Sequence, residues 1–395
     1  MAKQKADGVN LFTPAPLPTA ELDDTQRLAC VRLIRSQNVG PITFRELINR
    51  YGGAQQALEA LPHLSRRAAH GKAIVICSVA DAEAELTAAQ KYGARPLFTI
   101  EPGYPLRLAQ IETPPPLVYA KGDIALLARP SIGIVGARQA SAAGVKLARL
   151  FGQELGRAGL VIVSGLARGI DSAAHEASLE TGTVAVLAGG LDNVYPPENA
   201  ALHSAIAERG CLVSEMPCGF QPRGQDFPRR NRLISGIALG VLVVEAAKRS
   251  GTLSTARRAA EQNREIFAIP GNPLDPRAEG TNHLLKTGAT LVTEPRDIIE
   301  ALEPLTGLGR RAFREITLQQ AAYEAESLAP ALDPGENERD QVLATLGAAP
   351  VAVDDIVRAT GLDIRVVRAA LIELDLAGLT ERHGAQLVSL ANDPR

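Results

Sequence analysis

Residues 227–236 read FPRRNRLISG and set three guanidinium groups, Arg229, Arg230 and Arg232, around Asn231, with Phe227 in front and the apolar run GVLVVEA behind. Planar guanidinium forks bind phosphate oxygens two at a time. An asparagine amide can hydrogen-bond a base edge that only a single strand exposes, and a phenyl ring offers a stacking face. The same residues also permit a plainer arrangement: a solvated helix face whose arginines pair with acids such as Asp226 and Glu245, and a Phe227 packed in a core.

Three further segments carry compatible chemistry. VGAR supplies Gly136 for a tight turn and Arg138 just ahead of a helix expected near Ala140. SGLARGIDSAAH supplies Ser164, Gly165, Arg168 and Gly169 ahead of a helix that Asp171 can cap, and RSGTLSTARRA supplies Ser250, Gly251 and Thr252 at another helix start. Free amides at a helix N-terminus carry about half a positive charge, and glycines let an anion approach them closely. Several such ends along one edge suit an extended polyphosphate, so single-stranded nucleic acid is the expected ligand. Basic residues exceed acidic ones between Gln221 and Arg264, although the whole chain carries a net charge of only −2. G-x-G-x-x-G with its ribose-binding acid and G-x-x-x-x-G-K-[ST] are both absent, which argues against a dinucleotide and against P-loop ATP hydrolysis.

Elements able to hold these loops on one edge are legible between about 94 and 300. The runs SIGIVGA, LVIVSGL, TVAVLAGG, CLVSEM, GVLVVEA, EIFAIPG and ATLVTE are short and continuously apolar, and helical stretches separate them. That alternation predicts an α/β fold with a doubly wound parallel sheet, in which loops leaving the carboxyl ends of the strands gather along one rim. The Pro-rich stretch RPLFTIEPGYPLRLAQIETPPPLVYAKGD is expected to be an irregular lead-in with one edge strand.

Residues 24–82 read as a small all-α module, with Thr43 as an N-cap, Gly52 as a helix stop and a Gly-Pro turn like that of helix-hairpin-helix modules. Residues 1–23 read as a disordered cytoplasmic tail and 303–336 as a linker. From 337 to 390 three helices and a short hairpin follow the order of a winged helix. Acidic residues outnumber basic ones there, and its third helix sets Arg365 and Arg368 against Asp363, Glu373 and Asp375, so protein contact or a structural role competes with DNA reading.

At 395 residues the chain is long enough for two or three cores, and 46% hydrophobic with 4% aromatic points to layers built from Ala, Val, Leu and Ile. No apolar run approaches the ~20 residues of a membrane span. Cys30, Cys77, Cys211 and Cys218 are scattered without metal-ligand spacing, and they read as reduced and structural; neither a metal nor a cofactor is expected.

IGIVGAR, SGLARGIDSAAH, TVAVLAGGLDNVYPPEN, SEMP, FPRRNRLISG, the stretch LVVEAAKRSGTLSTARRAAEQNREIFAIPG and GTNHLLKTGATLVTE resemble, in order and spacing, the signatures of the DNA-processing protein A (DprA/Smf) family. The resemblance implies an extended Rossmann-like fold flanked by a sterile-alpha-motif-like helical domain and a winged helix. It further implies a non-enzymatic protein that binds and protects incoming single-stranded DNA in natural transformation, helps load the RecA recombinase and forms a homodimer through the Rossmann fold. Carried over by motif, Arg138, Ser164, Gly165, Phe227, Arg230, Asn231 and Arg232 are expected at phosphates or an unstacked base. Many relatives have a basic residue after YP where this chain has Pro197, so a phosphate contact from that position is either lost or supplied by a neighbour such as Arg223.

Two rival readings exist. SGTLSTA is similar to the P-G-G-x-G-T-x-x-E loop of nucleotide phosphoribohydrolases, but Ser254 and Thr255 stand where the catalytic acid belongs. Glu245 nearby is expected as a buried partner of an arginine, and His175 as structural. The second rival is a recruitment protein acting through its winged helix.

Overall fold

The computed structural model describes residues 21–68, 74–306 and 334–391. Most of the expected tail (1–23) and linker (303–336) lies outside them; the described ends differ from expectation, since Asp23 caps a helix, 303–306 end one and Glu336 begins another.

The N-terminal part is helical: α1 (Asp24–Arg35), α2 (Pro41–Tyr51), α3 (Ala54–Ala68) and α4 (Val79–Tyr92). Asp23 caps α1 and exchanges side-chain and backbone bonds with Gln26, which satisfies two otherwise orphan donors. At α2 the cap is Gly40 and the first helical residue Pro41, whose missing N–H costs nothing there; Thr43 is buried inside the helix and is not its N-cap. Gly52 ends α2 at φ +76, as expected of a glycine stop. The fourth helix runs past the domain boundary expected at residue 82.

Nine strands form the central sheet: β1 (Arg95–Phe98), β2 (Leu117–Gly122), β3 (Ser131–Val135), β4 (Val161–Ser164), β5 (Thr183–Leu187), β6 (Cys211–Ser214), β7 (Gly240–Val243), β8 (Glu265–Ala268) and β9 (Thr290–Leu291). Their order is β1-β2-β6-β5-β4-β3-β7-β8-β9, and β3 to β9 are mutually parallel. All seven apolar runs form strands. The Pro-rich lead-in departs from expectation: it contributes two antiparallel strands with the short α5 (Leu106–Ala109) between them, and only β1, which carries Pro96, lies at the edge.

Residues of one strand alternate between two apolar layers. Val161, Val163, Val241 and Val243 join Leu233, Ile234 and Ile237 of α9 (Asp226–Ile237) and Ala256 and Ala259 of α10 (Gly251–Glu261). Ile162, Leu242 and Val244 join Phe151 and Leu155 of α6 (Ala142–Arg157) and Ala173 and Ala174 of α7 (Ile170–Ser178). Every residue of β3 to β7 is buried, which is why the runs lack polar alternation. The remaining cover comes from α8 (Ala200–Arg209) and, beyond β2, from the helical domain.

The C-terminal part has α13 (Glu336–Ala344), α14 (Val353–Thr360) and α15 (Ile364–Leu376), preceded in the chain by α11 (Glu279–Lys286) and by α12 at 295–306. Strands β10 (Val351–Ala352), β11 (Thr380–Arg382) and β12 (Leu387–Leu390) form an antiparallel sheet in the order β10-β12-β11, the wing of a winged helix.

Candidate nucleic-acid interface

The strand order reverses between β3 and β7, where open α/β sheets usually bind ligands. Here that crevice is filled by the chain itself. Glu245, just after β7, accepts hydrogen bonds from the backbone N–H and the hydroxyl of Ser141. Ser141 in turn caps α6 by accepting from the Gly144 N–H at 2.9 Å, and a Cβ on Gly144 would lie 2.5 Å from the Glu245 carboxyl carbon. Glu245 is therefore bound to the start of a helix and not to an arginine, and α6 begins at Ala142, two residues later than expected.

The next loop is filled in the same way. Asp171 does not cap α7, whose N-cap is Gly169; its carboxylate reaches back to accept from the N–H groups of Gly165 at 3.1 Å and Ala167 at 3.3 Å. Burial raises the Asp171 pKa, while the Arg230 guanidinium and the two amides oppose that rise. Of the glycine loops expected to cradle phosphates, two thus hold internal carboxylates in their amides. The third keeps its expected form: Ser250 caps α10, accepting from Thr252 N–H, and the Thr252 hydroxyl donates to the Gly136 carbonyl at 3.0 Å, while Gly251 is exposed.

FPRRNRLISG forms the body of α9, and its polar residues separate by face. Arg230 is 7% exposed and donates through Nη1 to the carbonyls of Gly165 at 2.6 Å and Val186 at 2.5 Å. It ties the ends of β4 and β5 together from beneath. Burial pushes its pKa down to about 10, with Asp171 opposing the shift, so the group stays charged at neutral pH. Gly165 is required above it, since a Cβ there would stand 2.2 Å from the Arg230 Nη1. Asn231 is 9% exposed, with its amide toward the Gly251 carbonyl. Arg232 grips both oxygens of Glu215 at 2.8 and 2.7 Å and the Thr113 carbonyl at 2.9 Å. Arg229 reaches the same Glu215 at 3.1 Å, with half of its side chain in solvent. Arg230, Asn231 and Arg232, expected at a strand, each have internal partners here and hold the rim from inside, because a helix presents only one face to solvent. The acids anticipated for these arginines, Asp226 and Glu245, are not their partners: Glu215 holds Arg229 and Arg232, and Asp226 accepts from the Arg223 N–H instead.

What faces solvent is a different set. The exposed Arg138 guanidinium sits 5.5 Å above the Phe227 ring, and that ring meets Tyr195 with centroids 5.3 Å apart. Tyr195 is 48% exposed. The two aromatic rings border a shallow recess of about 10 Å³, hardly room for one water, whose floor and walls include Gly165, Gly189, Asn193, Pro222 and Arg230 and no carboxylate. Arg168 pairs with Glu198 at 2.6 Å with both side chains more than half exposed, a pairing weak enough for a phosphate to displace. Arg223, Lys248 and Arg249 are exposed on neighbouring loops of the same rim, and Ser164 is fully buried, its hydroxyl donating to the Ile134 carbonyl. Tyr195 escaped sequence reasoning; its signal was an aromatic residue in VYPPEN, a loop leaving a parallel strand.

His175 is buried beneath this rim. The Thr183 hydroxyl donates to the Ile162 carbonyl, so His175 Nδ1 carries the proton shared with Thr183 at 2.7 Å, and Nε2 has no hydrogen-bond partner. Burial, with the nearby Arg230 charge, pushes its pKa down to about 3. It is a neutral core group, as expected. The four cysteines are free, with the Cys30 and Cys211 thiols pushed up to about 12 by burial, and among the described residues no His/Cys/Asp/Glu group is placed to hold a metal.

Comparison with known proteins places this rim in context. Residues 95–303 match the family described as DNA recombination-mediator protein A, 24–88 a DprA-like N-terminal HHH domain and 326–386 a DprA winged helix domain. Protein Smf of Escherichia coli K12 is 40% identical over 278 residues, covering 70% of this chain and 72% of its own length. The X-ray structure of DNA processing protein A from Streptococcus pneumoniae superimposes with a TM-score of 0.53 at 42% identity, over 55% of this chain and 77% of the other. DNA processing protein A from Helicobacter pylori, whose structure was reported for its single-stranded DNA binding mode, gives 0.50 at 30% identity, over 53% of this chain and 96% of the other.

Proposed function

The chain belongs to the DNA recombination-mediator protein A family, and from that premise we propose that it binds single-stranded DNA along the rim carrying Arg138, Arg168, Arg229, Phe227 and Tyr195. The observation that carries the reading is the Arg138–Phe227–Tyr195 stack beside a recess without a carboxylate. Cations at this rim take successive phosphates, and the two rings take an unpaired base, worth ~1–3 kcal/mol per stacked base. Duplex DNA keeps its bases stacked and offers the rings nothing. Anisotropy titration with fluorescent oligonucleotides, single against double stranded, tests this; equal affinity for both would refute it.

The protein acts as a binder and not as an enzyme. Supporting this, Asp171, Glu215 and Glu245 are each engaged in internal bonds, Glu198 is paired with Arg168, and Thr255, at a position where a phosphoribohydrolase carries its acid, is buried. Release of free base from nucleoside monophosphates would overturn this. Protection of an incoming strand in the cytoplasm during natural transformation and loading of RecA rest on the family's description as a recombination mediator. They are tested by nuclease resistance of the bound strand and by RecA filament formation on strands already coated with single-strand-binding protein. Homodimerisation through the sheet is supported by the edge strand β9, where Leu291 is 54% exposed. Light scattering on Leu291→Glu tests it.

A further inference from the structure

A winged helix that reads duplex DNA lays the outward face of its third helix in the major groove. In α15 the inward stripe is Val367, Ala370, Leu371 and Leu374, packed with Val342, Ile356 and Val388 of the same domain. The opposite stripe, Ala369, Ile372 and Leu376, is apolar as well, at a spacing of three and four residues that keeps one helix face. All three are at most 4% exposed. A helix that is apolar on both sides is a buried helix. Here the second side is covered by the N-terminal domain: α15 packs against α2 and α3, and Ile372 and Leu376 share one apolar cluster with Leu47, Leu58 and Leu61.

Polar bonds fix the register of this interface. Asn38 Nδ2 donates to the Leu376 carbonyl at 3.0 Å. Arg382, at the start of the wing, reaches Asp375 of its own domain at 2.7 Å and Glu46 of α2 at 3.3 Å. At the wing's turn the Ala385 N–H donates at 2.7 Å to Glu112, in the loop before β2. The first cation of α15 is not arranged for a groove either, since Arg365 folds back on Asp363 with bonds of 3.0 and 3.1 Å.

We infer that the winged helix is an intramolecular brace: its third helix docks on the helical domain, its wing docks on the loop before β2, and it does not read duplex DNA. Three variants of the full chain test this. Arg365→Ala/Arg368→Ala removes the exposed cations of α15 and is expected to change duplex affinity less than twofold. Ile372→Asp places a charge in the docked face, outside the domain's own core. It is expected to raise hydrogen exchange in α2 and α3 at least tenfold and to enlarge the radius of gyration in small-angle scattering, with α13 and α14 still protected. If that substitution unfolds the winged helix, Asn38→Ala/Arg382→Ala decides on the same two measures. The inference is overturned if the double arginine variant loses tenfold or more in duplex affinity, or if the undocking variant leaves exchange in α2 and α3 and the radius as in the parent.

Discussion

Arg230→Ala distinguishes an internal strut from a phosphate ligand. The guanidinium is almost fully buried, donates to two carbonyls and faces the buried Asp171. Alanine leaves those carbonyls unpaired, strands the carboxylate without its cation and opens a void under Gly165. Breaking a buried charge pair from one side costs about 3–5 kcal/mol. For a domain of this size each kcal/mol lowers the melting temperature by about 2–4 °C, so the transition should fall by about 6–20 °C in calorimetry. Replacing both partners, Arg230→Met/Asp171→Asn, removes the stranded charge, and at least half of the loss should return. In oligonucleotide titrations run well below the transition, Arg230→Ala should bind more weakly because the β4 and β5 loops loosen. Its salt dependence should match the parent, because no cation has been withdrawn from the surface. A variant that melts within 2 °C of the parent while its salt slope drops by ~0.7 would show that Arg230 meets phosphate directly and would refute the reasoning.

Other outcomes follow from the same geometry. Arg138→Ala should leave stability within about 0.5 kcal/mol of the parent, as befits an exposed side chain, yet flatten the salt dependence of single-strand binding by ~0.7 for each phosphate that the guanidinium neutralises. Tyr195→Ala should weaken single-strand binding by ~1–3 kcal/mol with an unchanged salt slope, because a stacking face and no charge is removed; an unchanged affinity in direct titration would place the base elsewhere. His175, held near 3 when folded against an ordinary value of 6.5, binds its proton more readily when unfolded, so its stabilising effect is full above about pH 6.5 and is lost as pH falls toward 3. Denaturant unfolding at pH 6.5 and 5.0 should differ by about 2 kcal/mol from this group alone, and His175→Gln should remove that difference.

Much of the architecture was written in local chemistry. Continuous Val- and Ile-rich runs specify strands buried on both faces, Gly52 and Gly361 stop helices at positive φ, and Ser250 caps α10, each through groups within a few residues of one another. Residue types alone therefore determined the parallel sheet, the flanking helical and winged-helix parts, and the rim on which the glycine and arginine loops lie. Which of those arginines meets solvent was decided only by tertiary structure. Glu215 captures Arg229 and Arg232 across 14 and 17 residues, Arg230 spans 44 and 65 to its carbonyls, and Glu245 reaches Ser141 across 104. The physical reason is that a helix or strand forms from short-range backbone preferences, whereas a charge finds its partner only after distant segments are packed, and burying it unpaired costs too much to leave the choice open. Tertiary packing likewise turned the third helix of the winged helix inward, where its second apolar stripe meets the N-terminal helices.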